Sequence, residues 1–212
     1  MPNLVMIGEG GHARVVLAAL KRCGTEIQAL CVLDLAGVRH GLGVRLMRDA
    51  DLLAGPVAEY VLVNGVGGVD VPRLRRDVYE RFQAAGFVFR QVIDPSAIVA
   101  SDVRIGRGSQ VLTAAVVQPG AQIGENTIIN TRSVIEHDCV IADHVHVATG
   151  AILAGGVRVG CMSMIGAGAV VKQGIAIGTG ALVAAGAVVI RDVADGERVA
   201  GVPARSMRSR GA

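Results

Sequence analysis

Residues 147–171 read VATGAILAGGVRVGCMSMIGAGAVV, and an aliphatic side chain returns at every sixth place: Val147, Leu153, Val159, Ile165 and Val171. The beat runs unbroken back through Ile141, Ile135, Ile129, Ile123, Val117, Val111 and Ile105 to Val99, and forward through Ile177 and Val183 to Val189. Two residues ahead of these positions sit mostly small ones, among them Ala115, Ala121, Ser133, Cys139, Ala151, Ser163, Ala169 and Ala181. A period of six suits neither a helix, whose faces repeat every 3.6 residues, nor an isolated amphipathic strand, which alternates. It suits short strands joined by tight turns and coiled so that equivalent residues stack. With three hexads to a triangular coil, residues about 18 apart become neighbours. The series predicts a parallel β-helix of five coils over roughly 95–192.

The composition agrees with such an interior. The 212 residues are 51% hydrophobic but only 2% aromatic, with no Trp and 29 glycines, which implies a narrow core of Val, Ile, Leu and Ala. A net charge of +3 without a basic–aromatic platform excludes nucleic acid as the expected partner. Cys23, Cys31, Cys139 and Cys161 show no CxxC spacing, and the first apolar run has no basic leader. Reduced thiols and a cytoplasmic location are the expectation. Gln173 to Ile190 carry no charge, the lower edge of a bilayer span. Their glycines and their six-residue beat assign them to the repeat, and no membrane segment is expected.

Ahead of the repeat, NLVMIGEGGHARVVLAAL reads as a buried strand, a glycine turn and a helix. Gly8-Glu9-Gly10-Gly11-His12-Ala13 matches G-x-G-x-x-G/A, and the strand QALCVLDL delivers Asp34 about twenty residues on, as a dinucleotide fold asks. AEYVLVNGVGG supplies another strand and glycine turn, VPRLRRDVYERFQAAGF a helix, and FVFRQVI a closing strand. The expected organisation is a small Rossmann-like α/β domain over 1–93 and a β-helix with its tail over 94–212, hinged at Asp94-Pro95. The glycines let backbone N–H groups approach an anion at a helix N-terminus. An NAD site is the weaker use of that turn, because the unit is short and no dehydrogenase-type domain follows.

Within the repeat, residues 130–141 read NTRSVIEHDCVI and place Glu136, His137 and Asp138 side by side. With Ile135 and Ile141 inward, Cys139 reads as a small core residue and His137 as an outward side chain at a turn. An outward imidazole is the natural general base at neutral pH, and a neighbouring carboxylate, Glu136 or Asp138, orients it. His146 lies one and a half coil sides further on, so it meets His137 only across an interface between copies. Alternation puts His144 and His146 on one coil face. The spacing of these histidines differs from the three converging ligands of a zinc site, and no metal is expected.

Together these stretches resemble the bacterial nucleotide-sugar acetyltransferases of the hexapeptide-repeat superfamily, the sialic-acid O-acetyltransferase and bacillosamine or perosamine N-acetyltransferase group. The resemblance rests on IGEGGHARVV, VNGVGG with LRRDVYERF, the hexads, NTRSVIEHDCVI and the exit AGVPAR. It implies a left-handed β-helix, a homotrimer with active sites between subunits, and acetyl-CoA as co-substrate. The acceptor it implies is the amine of a nucleotide-linked amino sugar of the GDP-perosamine or UDP/dTDP-4-amino-sugar type, for surface polysaccharide or glycan synthesis. His137 is then the base, with Asp138 (or Glu136) and Asn130 in its site. His146, Ala167 and Ala185 fall in the acetyl-CoA pocket of the adjacent subunit. Gly10, Gly11, His12, Asp34 and Gly65 fall in the sugar-nucleotide site. Separately from the resemblance, the basic tail offers Arg205, Arg208 or Arg210 to CoA phosphates. Two departures stand out: Leu35 where some members carry a second acid, and Asp94 at the hinge where many have His-Pro-Ser. The other readings of the chain are a sugar O-acetyltransferase, an NAD-binding protein and a non-catalytic β-helix scaffold.

Overall fold

A computed structural model describes residues 2–32, 44–68, 70 and 72–207. The hexads coil as a left-handed parallel β-helix preceded by a Rossmann-like unit. Each hexad gives a two-residue strand and a turn, and strands pair in parallel with those one coil away, as Val116 with Val134 and Ile123 with Ile141. Three flat faces result. The first face runs from Ile98–Val99 to Val188–Val189, and the second from Arg104–Ile105 to Ala176–Ile177. The third runs from Val92–Ile93 to Leu182–Val183 and is extended by Arg198–Ala200 and Arg205–Ser206.

The inward positions make one continuous core. Val111 through Val189 at every sixth residue are buried in it, and Val99 and Ile105 cover its first coil. Cys139 joins that core fully buried, as the small residues of the pattern do. Turns recur with a left-handed backbone every six residues, at Gly120, Asn126, Arg132, Asp138 and His144 for example. Asn, Asp and Gly tolerate that conformation best.

The front unit is a five-stranded parallel sheet in the order β3-β2-β1-β4-β5. Its strands are β1 (Asn3–Ile7), β2 (Ala29–Val32), β3 (Arg45–Arg48), β4 (Tyr60–Asn64) and β5 (Val88–Phe89). Helix α1 (Gly11–Arg22) packs on one side. Helices α2 (Asp49–Leu53) and α3 (Arg73–Ala84) cover the other. The edge strand β3 has no apolar beat to announce it. The expected closing strand FVFRQVI is two strands, because β5 completes the front sheet while Val92–Ile93 pairs with Gln110–Val111 as the first rung of the third face.

That third face carries the front unit. Val92, Leu112 and Ile128 pack outward against the α1 side of the front sheet. Polar clasps flank this contact. Arg22 donates to Asp94 through Nε at 2.9 Å, and Arg75, fully buried in α3, donates to the carbonyls of Asn64, Val66 and Asn126 at 3.0, 2.7 and 3.0 Å. Burial lowers the Arg75 guanidinium to about 9, still charged at neutral pH. A buried cation without a carboxylate persists only where carbonyl dipoles surround it. Here they tie the Val66 turn to the β-helix.

Candidate active site

Two clusters carry the chemistry, on opposite sides of the coil. The first sits at the corner between the first and second faces. There His137 Nδ1 lies 2.9 Å from Asp138 Oδ2, with both side chains more than half exposed. A carboxylate accepts, so Nδ1 carries the hydrogen and Nε2 is left with its lone pair outward. Glu136 makes no hydrogen bond to the ring; its backbone N–H is spent on Leu153 O of the next coil. The imidazole lies over Gly155, where an added Cβ would fall 2.4 Å from Nε2. Glycine at that position keeps the ring's reactive edge in place.

The second cluster opens on a cavity of about 730 Å³ between the front unit and the third face. Gly8, Gly10 and Gly11 line it where α1 begins, and the first turn of that helix holds no acidic residue. Nothing lies within 4 Å of where a Cβ at Gly10 or Gly11 would stand. The opposite wall is Asn130, Thr131, His146 and Thr149. Gly65 belongs to the same wall as the glycine turn, wedged so tightly that a Cβ would meet Ile7 O at 2.8 Å. The helix N-terminus and the Arg75 charge behind it make the cavity receptive to a diphosphate.

Its two histidines are fixed and neutral. His146 Nδ1–H donates to Gly68 O at 3.1 Å, so Nε2 accepts from Asn130 Nδ2 at 3.1 Å; Asn130 Oδ1 accepts the Thr131 N–H at 2.8 Å. His12 Nε2–H donates to Gln110 Oε1 at 2.7 Å, and Gln110 passes the chain on to Asn64 O at 2.7 Å. Burial first, then the Arg75 charge, lowers His12 to about 3 and His146 to about 4. The rings stand 6.5 Å apart.

Below His146 the corner between the third and first faces forms a ladder, Thr131, Thr149, Ala167 and Ala185, one rung per coil. The backbone bonds Gly168 N–H to Thr149 O and Gly186 N–H to Ala167 O hold it at 2.9 and 2.8 Å. Ala167 and Ala185 are exposed. Ala148, Met164 and Leu182 form an apolar patch on the adjoining third face. The lower rungs of the ladder expose only small side chains, Ala167 and Ala185. Arg205 lies on the last strand of that same face, exposed.

The structure thus gathers Gly10, Gly11, His12, Gly65, Asn130 and His146 around one cavity, with Ala167 and Ala185 below it. It sets His137 and Asp138 apart at the far corner. Asn130 stands with His146, not with His137 of its own chain. His144 does not share a face with His146. It falls on a left-handed turn residue, which breaks the alternation, and packs edge-on to Tyr79 with Nδ1 3.0 Å from Asn126. Asp34, Arg208 and Arg210 lie outside the described residues. Sequence reasoning missed Gln110, Asn64 and Arg75. The last was detectable, since Arg75, Val78, Tyr79 and Phe82 fall on one helical face.

Residues 120–155 match the family model of the bacterial transferase hexapeptide (six repeats). The acetyltransferase domain of PglB from Neisseria gonorrhoeae FA1090 is 34% identical over 98% of this chain and 100% of that one, with a TM-score of 0.89. A histidine-to-asparagine mutant of perosamine N-acetyltransferase from Caulobacter crescentus, solved with CoA and GDP-perosamine, is 34% identical. The match covers 99% of this chain and 98% of that one, with a TM-score of 0.91. WeeI from Acinetobacter baumannii AYE is 25% identical over 98% of this chain and 100% of that one, with a TM-score of 0.79. Among curated protein sequences none matches.

Proposed function

The chain belongs to the nucleotide-sugar acetyltransferases of the hexapeptide-repeat, left-handed β-helix superfamily, and from that premise we propose a reaction and assign its residues. It is an acetyl-CoA-dependent N-acetyltransferase that acetylates the amine of a nucleotide-linked amino sugar. The observation that carries the assignment is the His137–Asp138 pair, an imidazole with a fixed Nδ1–H and a free Nε2. Nε2 of His137 takes a proton from the sugar nitrogen as it attacks the thioester carbonyl. The tetrahedral adduct collapses, the C–S bond breaks, and the imidazolium returns the proton to the departing CoA sulfur. Amine and thioester react once aligned, so positioning supplies much of the rate and no acyl-enzyme forms.

The diphosphate sits at Gly10 and Gly11, the sugar reaches toward Asn130, and the pantetheine arm passes His146 and follows Ala167 and Ala185. Asp34 takes the part the resemblance gives it, ribose or base, and the basic tail residue Arg205 meets a CoA phosphate. This divides labour between residues 1–93, which hold the sugar nucleotide, and 94–212, which hold the acetyl donor and the base. Because His137 and the cavity of one chain stand on opposite sides of the coil, the site is completed by a neighbour in a homotrimer. An outward aliphatic row on the first face, Ile98, Val116, Val134, Ile152, Val170 and Val188, supports such an interface. Three of these residues, Ile98, Ile152 and Val170, are exposed in the single chain, a row suited to burial between copies. The unpaired cysteines suit a cytoplasmic location. Among the described residues no helix is long and apolar enough to cross a membrane.

The test follows release of free CoA thiol with 4-amino-sugar nucleotides against their 4-hydroxy counterparts. Turnover restricted to the amines is expected. Turnover of the hydroxyl acceptors alone would move the protein to O-acetylation.

A further inference from the structure

At the same edge of the front sheet a second cavity of about 230 Å³ opens among β1, β2 and α3. It shares Gly8, Val66 and Leu74 with the larger one, so a single extended ligand reaches both. Val32, Val78 and Phe82 make its remaining walls largely apolar, which suits the faces of an aromatic ring. Two charged groups at its rim satisfy each other, since Arg81 Nη1 donates to Asp49 Oδ2 at 2.7 Å. Glu9 is left over. It lines this cavity from inside the glycine turn, and its Oε2 is sealed from solvent without a hydrogen-bond partner, the sole such side-chain atom among the described residues. A carboxylate oxygen shut away without a donor is costly, and such an exception calls for a ligand that brings one.

Resting on the nucleotide-sugar reading, we infer that this smaller cavity takes the nucleobase and that Glu9 makes it a guanine site. Guanine carries its N1–H and its exocyclic N2–H on one edge, two parallel donors spaced to meet the two oxygens of a carboxylate. Uracil and thymine present a single N–H between two carbonyl oxygens, whose lone pairs would face the carboxylate. Adenine and cytosine set an unprotonated ring nitrogen beside the amine. The discrimination is strong because a base lacking the donors leaves the sealed Oε2 of Glu9 unpaired. From this seat the ribose and diphosphate pass over Gly8 to Gly10 and Gly11, and the sugar enters the larger cavity.

Calorimetric titration of the full-length protein with GDP, IDP, UDP and 2′-deoxy-GDP tests the assignment, in wild type and in Glu9→Gln. GDP should bind most tightly, IDP more weakly for want of the N2 amine, and UDP weakest. In Glu9→Gln the affinity for GDP should fall roughly tenfold to a hundredfold, the worth of hydrogen bonds to a charged group. The gap between GDP and IDP should then close. The 2′-deoxy substitution should cost both proteins the same. UDP binding as tightly as GDP, an undiminished guanine preference in Glu9→Gln, or a deoxy penalty that vanishes with Glu9 would each overturn the inference. In the last case the carboxylate reads ribose. Failure of all four nucleotides to bind, with acetyl-CoA still bound, would instead bring down the nucleotide-sugar reading itself.

Discussion

The corner that holds His137 and the cavity that holds His12 and His146 use one kind of side chain under opposite conditions. At the corner the ring is exposed, held by a single carboxylate, and keeps one nitrogen free to exchange a proton. In the cavity His146 is buried and His12 half-buried beside a fully buried arginine, and His146 has both nitrogens engaged. The difference separates two tasks. A base must change protonation state during turnover, whereas a group that shapes a pocket must not. Burial and a nearby positive charge are what keep the cavity histidines neutral.

The contrast breaks most visibly if the corner is silent. His137→Ala should leave the assembly intact and lower kcat by about 10²–10⁴, the usual worth of a general base. His137→Asn should behave alike. Unchanged turnover in either variant would return this histidine to an ordinary polar turn. Asp138→Asn should cost more than Glu136→Gln, because only Asp138 bonds the ring. Equal losses would remove Asp138 from its orienting role.

A subtler attack leaves His137 in place and moves it. Gly155→Ala places a methyl 2.4 Å from where Nε2 now lies, at a glycine that needs no left-handed backbone. The chain itself tolerates alanine there, so the ring must swing away. An ångström of misplacement costs on the order of a hundredfold in rate. Steady-state kinetics should show that loss in kcat with KM for both substrates nearly unchanged. A fall in thermal stability with kcat retained would mean that the backbone, not the ring, had yielded.

This glycine marks the limit of what the sequence discloses. The inward hexads predict the coil, its register and the outward phase of His137, because a period of six leaves a two-residue strand only one way to face its core. Nothing in the string GG at 155–156 says that one glycine serves a histidine a full coil earlier. That contact spans 18 residues in sequence (155 − 137) and one rung in space. The front unit was less legible for a related reason. Its strands alternate with helices and do not repeat, so the edge strand β3 and the partition of FVFRQVI between two sheets depend on which partner each segment finds. Arg75 reads as one more surface charge in RLRRD until its helical face is traced.

The ladder below the cavity gives the next test. Ala185→Leu replaces a methyl by an isobutyl group on an exposed rung of the ladder that continues from Thr131 and Thr149. Acetyl-CoA affinity measured by calorimetry should fall by about tenfold, and GDP or UDP affinity should not change. A loss shared by donor and nucleotide would show that the two ligands do not divide along the chain as proposed.

The smallest expected effect concerns stability and bears on the cavity alone. His12 and His146 titrate at about 3 and about 4 in the folded protein, well below the ordinary value of 6.5. Between pH 6.5 and 4 the unfolded chain therefore binds protons at these two positions that the native state refuses. Stability is full above pH 6.5 and declines as the solution is acidified, by up to about 1.4 kcal/mol per pH unit for each histidine. Replacement by glutamine removes the titration while keeping a donor for Gly68 O or Gln110 Oε1. Denaturant unfolding of His146→Gln at pH 7 and pH 5 should show a smaller difference than wild type, and the double variant with His12→Gln a smaller one still. The two effects should nearly sum, because both rings stay neutral in the folded protein over this range and the loss arises from independent protonation of the unfolded chain. An unchanged acid slope in both variants would mean that these rings are charged near neutrality, and the distinction between corner and cavity would lose its electrostatic basis.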